Sequence, residues 1–429
     1  MSGIRGILNK DFALTDIVRF SNNFAALKQS KSFLMGRDTR HTSDLIAKSV
    51  ASVLLTRGGR VIDFGIISTP ALFRESLKQE APAIMVTASH NEPEWNGLKF
   101  IMSGRGINHD QLSQIVSDPK TSGQATFTGT ITRNRRQSYD DDLVRRFGEG
   151  SLGGVKVGLD LGGGSALFHA PKVLRKLGCD VTTLNDTPGV FTRTIDPVAD
   201  SLSLLQKVVK NKGCEIGLAF DCDGDRLVII DNEGKKRSGD FMLTLALNAA
   251  LPVSRDKNVV VSVDTTQAVD ELVRSVGGLV YQSKVGEANV VQTMMERGAE
   301  LGGEGSSGGL IDGSFNYCRD SMIAALTIIR DLKTKGSKIF REAKEYHQTR
   351  LVLPISRAKA TRAIKEMQKN HRNAETIDGV KIRLSPRSWV LIRYSGTEDV
   401  ARVSAEARTA KESQRIAKTF LNRVRELSR

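Results

Sequence analysis

Residues 155–184 read VKVGLDLGGGSALFHAPKVLRKLGCDVTTL. The run VKVGLDL is short, apolar and closed by glycines, which reads as an interior strand. ALFHAPKVLRKLG, residues 166–178, spaces its apolar side chains for one helix, and DVTTL, 180–184, reads as a second strand. Strand, helix and strand of these lengths predict a right-handed βαβ crossover in a sheet covered on both faces. A further helix, LSLLQKVVKN, and a third strand, IGLAF (216–220), complete the unit.

The same order occurs on either side. Upstream lie a strand at Phe33–Met35, the helix LIAKSVASVLL, the strand RVIDFGI, the helix ALFRESLK and the strand AIMV (83–86). Downstream lie NVVVSVD, the helix VDELVRSV, LVYQS, the helix VVQTMMERG and the short strand AELGG. A repeated unit of this kind predicts three related α/β domains with mixed, mostly parallel sheets. From Pro354 the pattern changes to a helix, three strand-like stretches and a closing helix, SQRIAKTFLNRVREL. That tail is a smaller α+β domain. The expected divisions are 1–135, 136–251, 252–349 and 350–429, arranged around a central cleft.

Composition narrows the function classes. The 429 residues carry 63 Lys and Arg against 48 Asp and Glu, with 39% hydrophobic and 5% aromatic content. From 351 onward there are 18 basic and 8 acidic residues, a surplus that suits a nucleic acid or a small, multiply charged anion. No basic tail with interleaved aromatics favours nucleic acid. No run approaches the roughly 20 apolar residues that span a bilayer. The start, MSGIRGILNK, lacks a secretory apolar block, and four scattered cysteines show neither metal nor disulfide spacing. A reducing cytoplasm and no membrane are expected.

The third strand of each unit ends in a loop of unusual chemistry: TASHN (87–91), DCDGDR (221–226) and GGEGSSGG (302–309). Ligands of open α/β sheets gather beyond the carboxyl ends of strands. Asp221, Asp223 and Asp225 alternate after an apolar strand, and a tight turn there would converge three carboxylates. Such a group repels itself unless a divalent cation neutralises it, and its hard oxygens suit Mg²⁺, Mn²⁺ or Ca²⁺. An EF-hand is excluded, because Arg226 and Asn232 stand where Gly and Glu belong. A phosphatase with Asp221 as nucleophile would want Thr where Asp225 stands. RYSGTE (393–398) offers the Arg393 fork with hydroxyls and backbone N–H groups at Ser395, Gly396 and Thr397, a phosphate-binding combination. Ser89 alone reads as a turn residue. Adjacent strand residues point to opposite faces, so His90 is a doubtful base for it, and the glycine elbow of a hydrolase is missing.

Together the four loops resemble, in order and spacing, those of the α-D-phosphohexomutases: phosphoglucomutases, phosphomannomutases and phosphoglucosamine mutases. SGIRG, GRDTRHTS, FGIISTPAL and KVGEANV extend the likeness over essentially the whole chain, and its wording is most similar to archaeal members. The resemblance implies a phosphoserine at Ser89 that passes its phosphoryl group to a hexose monophosphate, through a hexose 1,6-bisphosphate that is both intermediate and activator. It implies Mg²⁺ held by Asp221, Asp223, Asp225 and the phospho-Ser89 oxygen. Lys99 is the acid–base candidate, helped by pKa depression among neighbouring cations, with Arg5 as its rival and His90 beside the serine. Glu304 and Ser306 would grip sugar hydroxyls. Arg226, Lys284, Arg393, Ser395, Gly396 and Thr397 would bind phosphate. The partners implied are small hexose phosphates, without nucleic acid.

Departures from the family pattern are Glu92 and Asp399 for the usual Pro, Cys222 inside the metal loop, Glu287 for Asp and Ala288 for a basic residue. None removes a group the mechanism requires. Phosphoglucomutase/phosphomannomutase activity is the leading expectation and phosphoglucosamine mutase the alternative within the family. A basic nucleic-acid-binding protein on an inactive scaffold is the alternative outside it. Sugar preference and oligomeric state stay open.

Overall fold

The computed structural model describes residues 3–27, 30–117, 129–134, 137–395 and 399–428. Three of its sheets share one strand permutation. The first contains Ser32–Arg37, Arg60–Ile66, Ala83–Val86 and Trp95–Met102, lying side by side in the order fourth, third, first, second. The second repeats that order with Lys156–Asp160, Asp180–Leu184, Ile216–Phe220 and Leu227–Asp231. The third does so with Val259–Ser262, Val280–Ser283, Leu301–Glu304 and Gly309–Asp312. In each, the first three strands are parallel and the fourth returns antiparallel beside the third. The three loops singled out above are therefore hairpin turns at equivalent places. The first sheet is widened by Gly3–Ile7 along Trp95–Met102 and by Thr130–Arg133 along Arg60–Ile66.

Two sequence readings change. The helix expected over 166–178 is two pieces, a 3₁₀ turn at Ser165–Phe168 and an α-helix at Ala170–Lys176. Pro171 has no N–H to extend the first piece and a φ suited to a first helical turn, so it restarts the helix. The fourth sheet has four antiparallel strands instead of three, with His347–Pro354 on its edge. That strand opens on HQTR and ends on a proline, which only an edge tolerates.

Two helices with no sequence signal sit deepest, Gly239–Ala250 and Ser321–Lys335. The first is apolar nearly all round and the second is so through Ile329, so neither displays the stripe that betrays a surface helix. They belong to one apolar cluster that runs from Leu34 and Met85 through Val157 and Phe220 to Val261, Ile328 and Phe340. The first three domains thus share a core. The fourth has its own, built from Val390, Ile392, Val403 and the helices Arg357–Asn370 and Ala410–Leu427. Trp389 and Leu391, on the other face of that sheet, pack against Val263 of the third domain. Glu406 fastens this joint, accepting from Gln267 N at 3.0 Å and Trp389 Nε1 at 2.8 Å. Among the described residues no helix is long and apolar enough to cross a membrane.

Candidate active site

Ser89 sits in the turn after Ala83–Val86, wholly buried, with φ of +53°. A left-handed conformation costs a non-glycine residue on the order of 1 kcal/mol, so the surroundings must hold it. Its N–H donates to Thr87 Oγ1 at 2.8 Å, and its hydroxyl donates to Asp221 Oδ2 at 3.0 Å. The opposite-face argument about His90 fails, because this is a turn and not a strand: His90 Nδ1 lies 3.4 Å from Ser89 Oγ. The imidazole is still no base. Burial, then Arg226 and Arg5, push its pKa down to about 2. Its Nε2 faces Arg226 Nη2 at 3.3 Å, and a guanidinium only donates, so the ring proton is assigned to Nδ1, toward the serine.

The loop of the second domain brings its carboxylates together as expected: Asp221, Asp223 and Asp225 each offer an oxygen within 4.8 Å of the others. Gly224 allows the turn through φ of +68°. Asp221 Oδ1 accepts from the Asp225 and Arg226 N–H groups, and Asp223 Oδ2 from Thr69 Oγ1 at 2.5 Å. Asp223 Oδ1 and Asp225 Oδ1 are buried and have no partner. Burial and the neighbouring carboxylates raise the pKa of Asp221 and of Asp223. Burial presses Asp225 the same way, but Arg319 and Lys99 outweigh it and hold that carboxylate ionised. Two orphaned oxygens in an all-oxygen, self-repelling set fit a small divalent cation.

Lys99 Nζ reaches Asp225 Oδ2 at 3.1 Å and lies 3.9 Å from Glu287. The expected pKa depression is corrected. Burial does work against its charge, but Glu287, Asp225 and Asp223 together exceed it, and the pKa is raised. Arg5 moves the other way, lowered by burial with Arg226 and Arg319 nearby, and it donates to Asn91 Oδ1 at 3.2 Å.

Arg319 carries no signal in the sequence. Buried just before the long core helix, it donates to Asp225 Oδ2 at 2.8 Å, to Glu287 Oε2 at 3.3 Å and to Glu304 Oε2 at 3.4 Å. An arginine in NYCRDS matches no motif, and its three carboxylates come from two loops and a helix start. Glu304 ends its strand, with Oε1 accepting from Gly286 N at 2.7 Å. Ser306 is half-buried in the following turn. Lys284 is exposed, and its neighbour Val285 is the residue held, donating its N–H to Asp378 Oδ2 at 3.1 Å. Asp378 in turn lies 3.9 Å from Arg393 Nη1. A chain of contacts thus runs from Arg393 in the fourth domain through Asp378, Val285–Gly286, Glu304 and Arg319 to Asp225. Ser395 is buried, its N–H on Val400 O at 2.9 Å, while Gly396 and Thr397 lie outside the described residues.

Known proteins agree with this architecture. Four models of phosphoglucomutase/phosphomannomutase match in succession: α/β/α domain I over residues 1–125, domain II over 138–234, domain III over 238–349 and the C-terminal domain over 353–423. A protein of Methanobrevibacter smithii named "Probable phosphoglucosamine mutase" is 31% identical, with 99% of this chain and 98% of that one aligned. A phosphoglucomutase/phosphomannomutase family protein from Burkholderia thailandensis superposes with a TM-score of 0.85 over 99% of this chain and 96% of its own, at 23% identity. An Aspergillus fumigatus N-acetylphosphoglucosamine mutase, solved with GlcNAc-6P and magnesium, gives 0.58 over 92% and 82% at 15% identity. The chain belongs to the phosphoglucomutase/phosphomannomutase family, the α-D-phosphohexomutases.

Proposed function

We propose that this phosphohexomutase carries its phosphoryl group on Ser89 and interconverts hexose 1- and 6-phosphates through a hexose 1,6-bisphosphate. The observation that carries the reading is the 3.0 Å contact of Ser89 Oγ with Asp221, inside a carboxylate triad that keeps two oxygens unpartnered. Asp221, Asp223 and Asp225, with an oxygen of phospho-Ser89, would hold Mg²⁺, which supplies charge neutralisation to the transferring phosphoryl group.

In the first half-reaction the P–O bond to Ser89 breaks as a sugar hydroxyl oxygen bonds to phosphorus, and the hydroxyl proton ends on Ser89 Oγ. In the second the sugar's other P–O bond breaks as Ser89 Oγ bonds to that phosphorus, and the proton returns to the sugar oxygen. A loose phosphoryl-transfer transition state depends on position and charge more than on a strong base. That suits the cations here. The charged Lys99, held against Asp225 and Glu287, neutralises the phosphoryl oxygens, with Arg5 and Arg226 on the Asn91 and His90 side. The neutral His90, with Nδ1–H toward Ser89 Oγ, orients that oxygen. Glu304 and Ser306 grip the sugar, and Arg393, Ser395, Gly396 and Thr397 anchor whichever phosphate is idle. We assign no phosphate to the exposed Lys284.

A nucleophilic Asp221, the phosphatase alternative, is disfavoured because Asp225 stands where such an enzyme would want Thr. The names of the relatives favour glucosamine phosphate as a substrate beside glucose and mannose phosphates. Four buried thiols suit a reducing compartment. The test is turnover of glucose, mannose and glucosamine 1-phosphates with Mg²⁺ and a trace of bisphosphate, alongside intact mass. One phosphate on Ser89 and at least one turned-over sugar support the reading. Free phosphate release without isomerisation would sink it.

A further inference from the structure

Arg40 lies in GRDTRHTS and packs beside the Ser89 loop, where a guanidinium with a free donor could bind an anion. The structure gives it different work. A guanidinium has five N–H donors in a planar fork. All five are committed: Nε to Asp38 Oδ2 at 3.0 Å, Nη2 to Ser89 O at 2.8 Å and Asn91 O at 2.6 Å, and Nη1 to Glu92 O at 2.5 Å and Trp95 O at 3.0 Å. Four of those acceptors are backbone carbonyls of the serine loop. Arg40 is 1% exposed, and its pair with Asp38 is dry on both sides. It has no donor left for a ligand.

Asp38 completes the device. Its Oδ2 also accepts from Thr87 Oγ1 at 2.7 Å, and that same oxygen of Thr87 receives the Ser89 N–H. Its Oδ1 accepts from the Arg40 N–H at 3.0 Å and from Ser43 Oγ at 2.6 Å. The loop is therefore gripped at both ends and at the serine itself, from the turn that follows strand Ser32–Arg37. This accounts for the left-handed backbone at Ser89: its N–H is drawn to Thr87 and its C=O to Arg40, which fixes the direction of the hydroxyl toward Asp221.

We infer that Arg40, seated on Asp38, is a positioning residue that holds the phosphoryl-carrier serine in its strained conformation, without touching substrate. The inference rests on the mutase reading for its catalytic consequence, but the clamp can be tested apart from it. Lysine has three donors on one atom and cannot span four carbonyls, so Arg40→Lys loosens the loop while keeping the charge beside Asp38. In that variant kcat falls about 10²-fold, as expected for a reacting atom misplaced by roughly 1 Å, while KM for the hexose 1-phosphate stays near the wild-type value. Phosphate incorporation at Ser89 from the 1,6-bisphosphate slows in parallel. Amide exchange over residues 87–97 speeds up by about ten-fold with the rest of the first domain unchanged.

A rise in KM at constant kcat would overturn the inference, since it would make Arg40 a substrate ligand. Wild-type exchange in the folded variant would overturn it as well, whether or not the protein is a mutase. If wild-type protein takes no phosphate and turns over no sugar, the mutase reading fails and the exchange result alone decides the clamp. Should Arg40→Lys show no cooperative unfolding transition, Thr87→Val carries the test, because it cuts the Ser89–Thr87–Asp38 link with almost no change of shape or charge. A smaller drop in kcat, about ten-fold, with faster exchange supports the clamp, and wild-type values in both refute it.

Discussion

The loops after the third strands of the first and second domains occupy equivalent hairpins and are built on opposite terms. Around Ser89 the backbone carbonyls are satisfied by one buried arginine, at the cost of a left-handed serine. In the second domain the backbone turn is easy, because Gly224 takes the positive φ, yet two carboxylate oxygens are left with nothing to accept. One loop is finished within the protein and presents a single atom. The other is finished only by something that arrives. Hydrogen-bond completeness, more than residue type, separates a loop that must keep its shape from a loop that must receive charge.

Breaking each side of that contrast gives graded outcomes. Ser89→Ala removes the proposed carrier and should lower turnover by about 10⁴-fold or more, with an unchanged unfolding transition. Residual turnover near wild type would assign the carrier elsewhere. Asp223→Asn should cost about 10²- to 10³-fold in kcat and weaken Mg²⁺ binding in a calorimetric titration. The same variant sharpens the comparison without metal. Removing one of three crowded carboxylates should raise the melting temperature in EDTA, where a loop already complete would lose stability.

Arg319→Lys keeps the charge but loses the fork to Asp225, Glu287 and Glu304. It should lower kcat about ten-fold, and a double-mutant cycle with Glu304→Gln should give less than the sum of the single effects. The smallest effect concerns His169, wholly buried with neither ring nitrogen bonded, its pKa pushed down to about 4 by burial. In the unfolded chain it protonates near 6.5, so between those values the unfolded state binds more protons. Stability present above pH 6.5 is lost as pH falls toward 4. His169→Leu should flatten that part of the melting-temperature profile, and an unaltered slope would place the proton uptake on other groups.

The helices of the three repeats are legible because each shows a period, the strands because they are short apolar runs, and the loops because their residues are chemically odd after such a run. What stayed hidden has physical causes. Trp95–Met102 and Leu227–Asp231 are buried on both faces, so nothing in their spacing announces an antiparallel return. Arg40 takes its role from carbonyls 49 to 55 positions away, and Arg319 from carboxylates 15 to 94 positions away. The direction of the Lys99 shift depends on Asp225 and Glu287 lying within 3.1 Å and 3.9 Å of its Nζ and outweighing burial and Arg319, a matter of ångströms that spacing does not encode.

The shared core has a consequence for how the chain can be cut. Its apolar cluster passes through the first three domains without a break, so a chain ending after the second would expose the faces that meet Phe241, Leu247 and Ile328. The fourth domain fills its own interior and meets the third across a joint of one tryptophan, one leucine and a ring of hydrogen bonds. In modular terms the protein is one indivisible block with one detachable piece, and the proposed idle-phosphate anchor rides on the piece that detaches.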